Sequence, residues 1–420
     1  MIDLKFLREN SQIVQKAAKD KGVEIDISHV LEIDAKHKEL SLAVQKLREE
    51  RNLLTSGMKG KPSPEQIEKG KTLKDKLEKE EHALSAVQQE LHEWLLKIPN
   101  IPADDVPVGK DETGNEEIKK AGDIPKFSFT PKSHDEIALS LDLYDTKHAA
   151  KIAGTRAYFL KNELVLLEQA VLRLALEFMI GEGFTPMTVP WMVNKEALWG
   201  TGYFPWGIED HYTTQDGQGL IGTSEVSLTA YHQDGVLNEK DLPIKLVGIS
   251  PCFRREVGSY GKDTKGFIRV HQFNKVEQVV LGIADEKDSR MWHEKMLEFS
   301  ETILKKLELP YRVLMMCTGD MGAGQRKKYD VETWFPSQNK YRETHSASYF
   351  NDFQSRRLNI RYRAKDGNTK YVYTLNNTVI STPRILAAIL ENYQQKDGSI
   401  IIPKVLQKYI NKEKISPKKQ

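Results

Sequence analysis

The segment FRREVGSYGKDTKGFIRVHQFNKVE, residues 253–277, places Arg254 and Glu256 before a polar loop and Phe273, Lys275 and Glu277 after it. A guanidinium offers a planar fork of donors suited to phosphate oxygens and can neutralise charge that develops at phosphorus. An aromatic ring offers a face on which a purine can stack. A carboxylate can bind the ammonium or hydroxyl of a small amino acid. Together these residue types suit a site that holds a nucleotide bent around its α-phosphate. The bland alternative is a surface hairpin with ordinary cross-strand ion pairs.

Two strands must position these groups. Residues 244–253, IKLVGISPCF, read as a buried strand and residues 267–281 as a second, joined by a loop with Gly258, Gly261 and Gly266. Side chains alternate along a strand, which puts Arg254 with Glu256 on one face, and Phe273, Lys275 and Glu277 on one face. The chain has no GxxxxGK(S/T) loop and no GxGxxG opening a helix, so any nucleotide is held by an antiparallel-sheet site. The HIGH and KMSKS motifs are also missing.

The 253–277 string resembles motif 2 of class II aminoacyl-tRNA synthetases in its seryl-type form, and other segments extend the resemblance over nearly the full length. It implies ATP contacts from Arg254, Arg255, Glu256, Val270 and Phe273, with Glu277 in the serine pocket. Thr223-Ser224-Glu225 alone reads as a turn or helix cap. The resemblance matches it to the family's Thr-x-Glu loop for the serine amino group, with Ser224 where Ala is usual. In YRETHSASYF, Glu343 and Ser346 match the pair that binds ATP and Mg²⁺, and a carboxylate suits that hard ion. Thr344 and His345 fall in the same ATP-binding stretch. His345 replaces a family Ser, and an interior histidine with no chemical role is its alternative.

NNTVISTPRILAAILENYQ resembles motif 3. Thr382 can cap a helix, Pro383 suits its first position, and Arg384 lies in its first turn, where a cation is unhelpful unless an anion is present. The resemblance makes Arg384 the arginine facing the nucleotide, and Thr378 the residue for the substrate hydroxyl. Asn377, Ser381 and Pro383 depart from the glycine-rich run of many bacterial members, which puts the loop geometry in question. Upstream, Leu164, Leu167, Val171, Leu174 and Phe178 form a helical stripe ended by Gly181 and Gly183, followed by extended FTPMTVPWMV. Such a stripe suits plain core. Its position resembles motif 1, which implies a homodimer.

The first hundred residues carry two heptad series, Ile33–Leu40–Leu47–Leu54 and Leu77–Leu84–Leu91–Ile98, the second with Leu73, Val87 and Trp94. Gly57, Gly60, Pro62 and Pro64 break them, which predicts a long antiparallel hairpin with a second arm of roughly 50 Å. Between Lys46 and Lys76 nine Lys or Arg face five Asp or Glu, a local excess of four positive charges. That excess suits phosphates, although a solvated face would look alike. The resemblance makes this arm the holder of the serine tRNA's long variable arm. Residues 98–118, rich in Pro, Gly and acids, read as a linker.

The 62 basic and 60 acidic residues nearly cancel, so any RNA surface must be local. Cys252 and Cys317 stand apart with no metal-ligand spacing, which predicts neither a disulfide framework nor structural zinc. No apolar run approaches a membrane span, the charged N-terminus lacks a signal-peptide core, and a cytoplasmic protein is expected.

The expected fold is α+β: a coiled-coil hairpin, residues 1–110, then an antiparallel sheet flanked by helices, residues 111–420. The resemblance implies an ATP-dependent ligase that forms seryl-adenylate and charges tRNA. Two rivals are a class II paralogue that loads another carrier or has lost catalysis, and a non-enzymatic coiled-coil RNA-binding protein. The first would lack the arm; the second leaves Arg254, Phe273, Glu343 and Arg384 without a purpose.

Overall fold

The computed structural model describes residues 1–56, 63–258 and 266–417, which fall into two compact units, Met1–Ile101 and Pro102–Gln420. Gly57, Gly60 and Pro62 of the expected break, and Gly261 of the expected loop, lie outside the described residues.

In the first unit, helices Leu4–Glu9 and Ser11–Asp20 precede two long ones, α1 (Ile27–Ser56) and α2 (Pro64–Lys97). The long pair is antiparallel: the His29 ring lies 5.1 Å from Trp94, and farther along α1, Arg48 donates to Glu81 at 2.8 Å. Ile33, Leu73, Leu77, Val87 and Leu91 are buried in the seam, joined by Val44. Burying such side chains stabilises by roughly 1.5–3 kcal/mol each, enough to close a hairpin whose outer faces are charged. Pro64 stands between the two arms as expected. It starts the second helix, in the first turn, where its missing N–H costs nothing. Ser63 and Gln66 close a capping box around that start.

The second unit is built on an eight-stranded sheet. In chain order its strands are β1 (Glu116–Ala121), β2 (Thr185–Thr188), β3 (Ile244–Phe253), β4 (Gln272–Gly282), β5 (Tyr311–Met315), β6 (Lys327–Phe335), β7 (Lys340–Asn351) and β8 (Tyr373–Ser381). Their spatial order is β1-β5-β6-β7-β8-β4-β3-β2, antiparallel throughout except for the parallel pair β2 and β3. Helices α3 (Glu163–Gly181), α5 (Glu286–Lys306) and α6 (Thr382–Asn392) cover it, and α4 (Glu225–Ala230) lies against β3 and β4. Leu164 and Leu167 of α3, Met296 of α5 and Ile385 of α6 share one core with Val276 and Leu375 of the sheet. Strands such as β4, buried on both faces, read as near-continuous apolar runs.

Residues 102–110 are not a free tether. Ala103 N–H donates to the Arg326 carbonyl at 2.8 Å, Thr318 N–H to that of Pro107 at 3.0 Å, and Lys327 pairs with Asp105 at 2.6 Å. Gly109 lies so close to Cys317 that an added Cβ would sit 2.8 Å from its Sγ. Local composition signals a loop; it cannot signal partners so distant in sequence. Both cysteines are free and buried. Among the described residues no helix is long and apolar enough to cross a membrane.

Candidate active site

Two β-bulges shape the site. Along β7, His345 pairs with Val331 and Glu343 with Glu332, leaving Thr344 as an extra residue. Along β8, Thr378 pairs with Glu277 and Ile380 with Val276, leaving Val379 extra. Each bulge shifts the two-residue alternation by one, so side chains three apart share a face: Glu343 with Ser346, and Thr378 with Ser381. All four line one cavity of about 320 Å³. The stretch after Asn377 is regular secondary structure despite its departures at Asn377, Ser381 and Pro383. No loop forms, and β8 runs as strand to Ser381, directly into α6.

On one side of the cavity, Arg254, Phe273, Glu343 and Arg384 converge. The Arg254 guanidinium lies 5.2 Å from the Phe273 ring centre and donates to the Gly222 carbonyl at 3.4 Å. Arg254 and Glu256 do not sit in a strand, as alternation assumed: β3 stops at Phe253, and Glu256 has a positive φ of 57°. That turn brings both to the cavity, where Glu256 pairs with Arg269 at 2.7 Å. Arg384 Nη1 donates to the Glu343 carbonyl at 2.7 Å and to its carboxylate at 3.1 Å. Burial alone would raise the Glu343 pKa, but Arg384 and Lys328 outweigh it and hold the group at about 2. Glu343 is therefore ionised at any physiological pH, and with the Ser346 hydroxyl beside it supplies hard oxygen donors that fit Mg²⁺.

On the other side lie Glu225 and Glu277. Gly248 stands opposite Glu277 in the β3–β4 ladder, and an added Cβ there would come within 2.8 Å of Ser224 Oγ. A glycine at 248 therefore lets the N-terminus of α4 approach the sheet and deliver Glu225 beside Glu277. The Glu225 carboxylate accepts from Tyr203 Oη at 2.7 Å, Gln354 Nε2 at 2.8 Å and Asn376 Nδ2 at 2.7 Å. Burial first, and the charge of Glu277 second, raise the Glu225 pKa to about 7. Glu277 accepts from Lys275 at 2.7 Å, Asn376 at 3.0 Å and Thr378 at 3.3 Å. A carboxylate pair of this kind, ringed by amide and hydroxyl donors, suits an ammonium next to a hydroxyl.

Val270 also lines the cavity, whereas Thr223, Ser224 and Arg255 do not. Thr223 Oγ1 accepts from the Glu225 N–H at 3.3 Å, and Ser224 precedes α4 with its hydroxyl 3.5 Å from the Gly248 carbonyl. Arg255 is exposed and donates to the Glu209 carbonyl at 2.8 Å. Thr344 and His345 border the cavity but are buried and bonded to protein: His345 Nε2 lies 3.1 Å from the Val379 carbonyl, and Nδ1 lies 2.9 Å from Thr344 Oγ1. Thr382 does not cap α6; its hydroxyl accepts from the Asn274 N–H at 3.3 Å, and Ser381 holds the cap position.

Sequence reasoning missed Tyr203, Gln354, Asn376 and Lys328. Asn376 had a signal, since it lies two residues before Thr378 on one strand face. Lys328 lines the cavity beside Asp330, 2.9 Å away; Asp330 and Glu343 outweigh its burial and raise its pKa above the ordinary lysine range. Tyr203 and Gln354 come from a loop and a short helix with no local pattern to mark them.

The seryl-tRNA synthetase N-terminal domain model matches residues 1–102, and the class II tRNA synthetase core domain (G, H, P, S and T) matches residues 210–393. The chain is 44% identical to the serine--tRNA ligase of Deinococcus radiodurans, over 98% of this chain and 97% of that one. It is 43% identical to that of Dictyoglomus thermophilum over the whole of both chains. Among solved structures, seryl-tRNA synthetase from Pyrococcus horikoshii complexed with ATP is similar at a TM-score of 0.93 and 38% identity, each chain fully covered. These similarities run along the whole sequence, and the chain belongs to the seryl-tRNA synthetase family.

Proposed function

We propose that the protein activates L-serine with ATP and transfers it to the 3′-terminal adenosine of the serine tRNA. The observation that carries this reading is one cavity holding two arginines, an aromatic face and an ionised Glu343 beside a buried pair of acids. Phe273 provides the adenine platform with Arg384 opposite. Arg254 neutralises charge at the α-phosphate as the serine carboxylate attacks phosphorus and pyrophosphate leaves. Glu256 and Val270 complete the nucleotide side, backed by Thr344 and His345, which are bonded to protein, and by Arg255 from outside the cavity wall. Mg²⁺ held by Glu343 and Ser346 would neutralise the leaving phosphates.

Glu225 and Glu277 receive the serine ammonium and hydroxyl, with Thr378 closing the hydroxyl side and Thr223 and Ser224 shaping the turn that presents Glu225. Alanine would leave these polar groups unpaired, and bulk is excluded by the surrounding side chains. In the second step the adenosine hydroxyl attacks the acyl carbon and AMP leaves. Both steps need positioning and charge neutralisation more than a protein nucleophile.

The hairpin α1–α2 grips the long variable arm of the serine tRNA. The exposed apolar residues Val165, Leu166 and Ile180 of α3, with Trp191 and Met192 after β2, support a homodimer built on this face. The protein works in the cytoplasm. Charging of total tRNA with each labelled amino acid tests the reading: serine alone should reach the tRNA fraction, and label from another amino acid would overturn it.

A further inference from the structure

The strands that carry the two halves of the cavity, β7 and β8, are neighbours, yet their ladder is short. It runs from Asn351–Thr374 to Ala347–Asn377 and holds no further pair among the described residues. Beyond that point, where both strands bulge, a side chain spans the gap. His345 Nε2 lies 3.1 Å from the carbonyl of Val379, the extra residue of the β8 bulge. Its Nδ1 lies 2.9 Å from the hydroxyl of Thr344, the extra residue of the β7 bulge, which in turn is 2.8 Å from Thr333 on β6. The imidazole therefore contacts both bulged residues and is itself buried.

With Nε2–H donating to a carbonyl, Nδ1 is left as the acceptor for the Thr344 hydroxyl. Both ring nitrogens are then spent on protein. The bulges set which side chains face the cavity, so their mutual register decides whether Glu343 and Ser346 stand correctly across from Thr378 and Ser381. A straight ladder cannot fix that register, because bulged residues leave the regular pairing.

We propose that His345 is a positioning residue for adenylate formation, whose imidazole replaces the missing ladder and locks the two bulges in one register. The proposal rests on the synthetase reading of the cavity. A histidine that merely fills the core would make a different prediction: its loss would lower thermal stability but leave the turnover of the folded fraction unchanged.

The test is serine-dependent pyrophosphate exchange on the full chain with saturating Mg²⁺, comparing His345→Met with His345→Gln and scoring kcat and KM separately. Methionine fills the volume but cannot donate; glutamine keeps an N–H donor of similar reach. If H345M does not accumulate as folded protein, H345A takes its place. The expected result is a drop in kcat/KM of about 10- to 100-fold for the non-donor variant, carried mainly by kcat for both substrates. Glutamine should restore most of it. Normal kinetics in the non-donor variant, or equal impairment of H345Q, would overturn the proposal. Absence of serine-dependent exchange in the wild-type chain would instead overturn the reading of the site, and the proposal with it.

Discussion

Glu225 and Glu277, both buried, share one amide: Asn376 Nδ2 donates to the first at 2.7 Å and to the second at 3.0 Å. Two carboxylates so placed cannot both ionise freely, and the Glu225 pKa rises to about 7 through burial and the charge of Glu277. An incoming ammonium favours the ionised form. Below pH 7 Glu225 must first release its proton, so serine binding weakens as pH falls and levels off above 7. The serine KM at pH 6 should be about tenfold that at pH 8, with the ATP KM much less affected. Exchange kinetics across this range check it, and Glu225→Gln should abolish the slope as well as weaken serine binding.

Glu277→Gln should lower kcat/KM for serine by about 100-fold, because a neutral amide replaces the acceptor of a charged group. The ATP dissociation constant should change little. Alanine at the same position answers a different question. It leaves the Lys275 ammonium buried without its partner at 2.7 Å, a loss of about 3–5 kcal/mol that thermal unfolding would register.

Glu343→Gln should raise the Mg²⁺ concentration for half-maximal exchange about tenfold, since a hard cation loses a charged oxygen ligand. The pKa of about 2, set by Arg384 and Lys328 against burial, means that wild-type Mg²⁺ dependence should show no Glu343 titration above pH 5. Magnesium titrations at several pH values check both statements.

Replacing Lys69, Lys71 and Lys74 on α2 by glutamate should leave serine-dependent exchange intact. Charging should lose about tenfold or more in kcat/KM for tRNA, with a shallower salt dependence. Unchanged charging would remove the arm from tRNA binding.

Much of this was legible in the sequence. Heptads at Leu77, Leu84 and Leu91 announced the hairpin, and the strand 244–253 was read to the residue, because apolar periodicity survives tertiary context. Pro64 marks the start of the second arm, because a proline cannot continue a helix but fits its first turn. The pairing of Glu343 with Ser346 came from family resemblance; simple alternation would have set them on opposite faces. The bulges that resolve this have no mark in the residue types, nor do Tyr203 and Gln354, whose donors reach Glu225 from a loop and a short helix distant in sequence.

The most direct measurement is pyrophosphate exchange into ATP with each of the twenty amino acids in turn, without tRNA. The account predicts exchange with serine, a trace at most with threonine, whose extra methyl the pocket resists, and none with the others. Exchange driven by a different amino acid, or none from folded protein, would contradict the assignment of Glu225, Glu277 and Thr378 to a serine pocket.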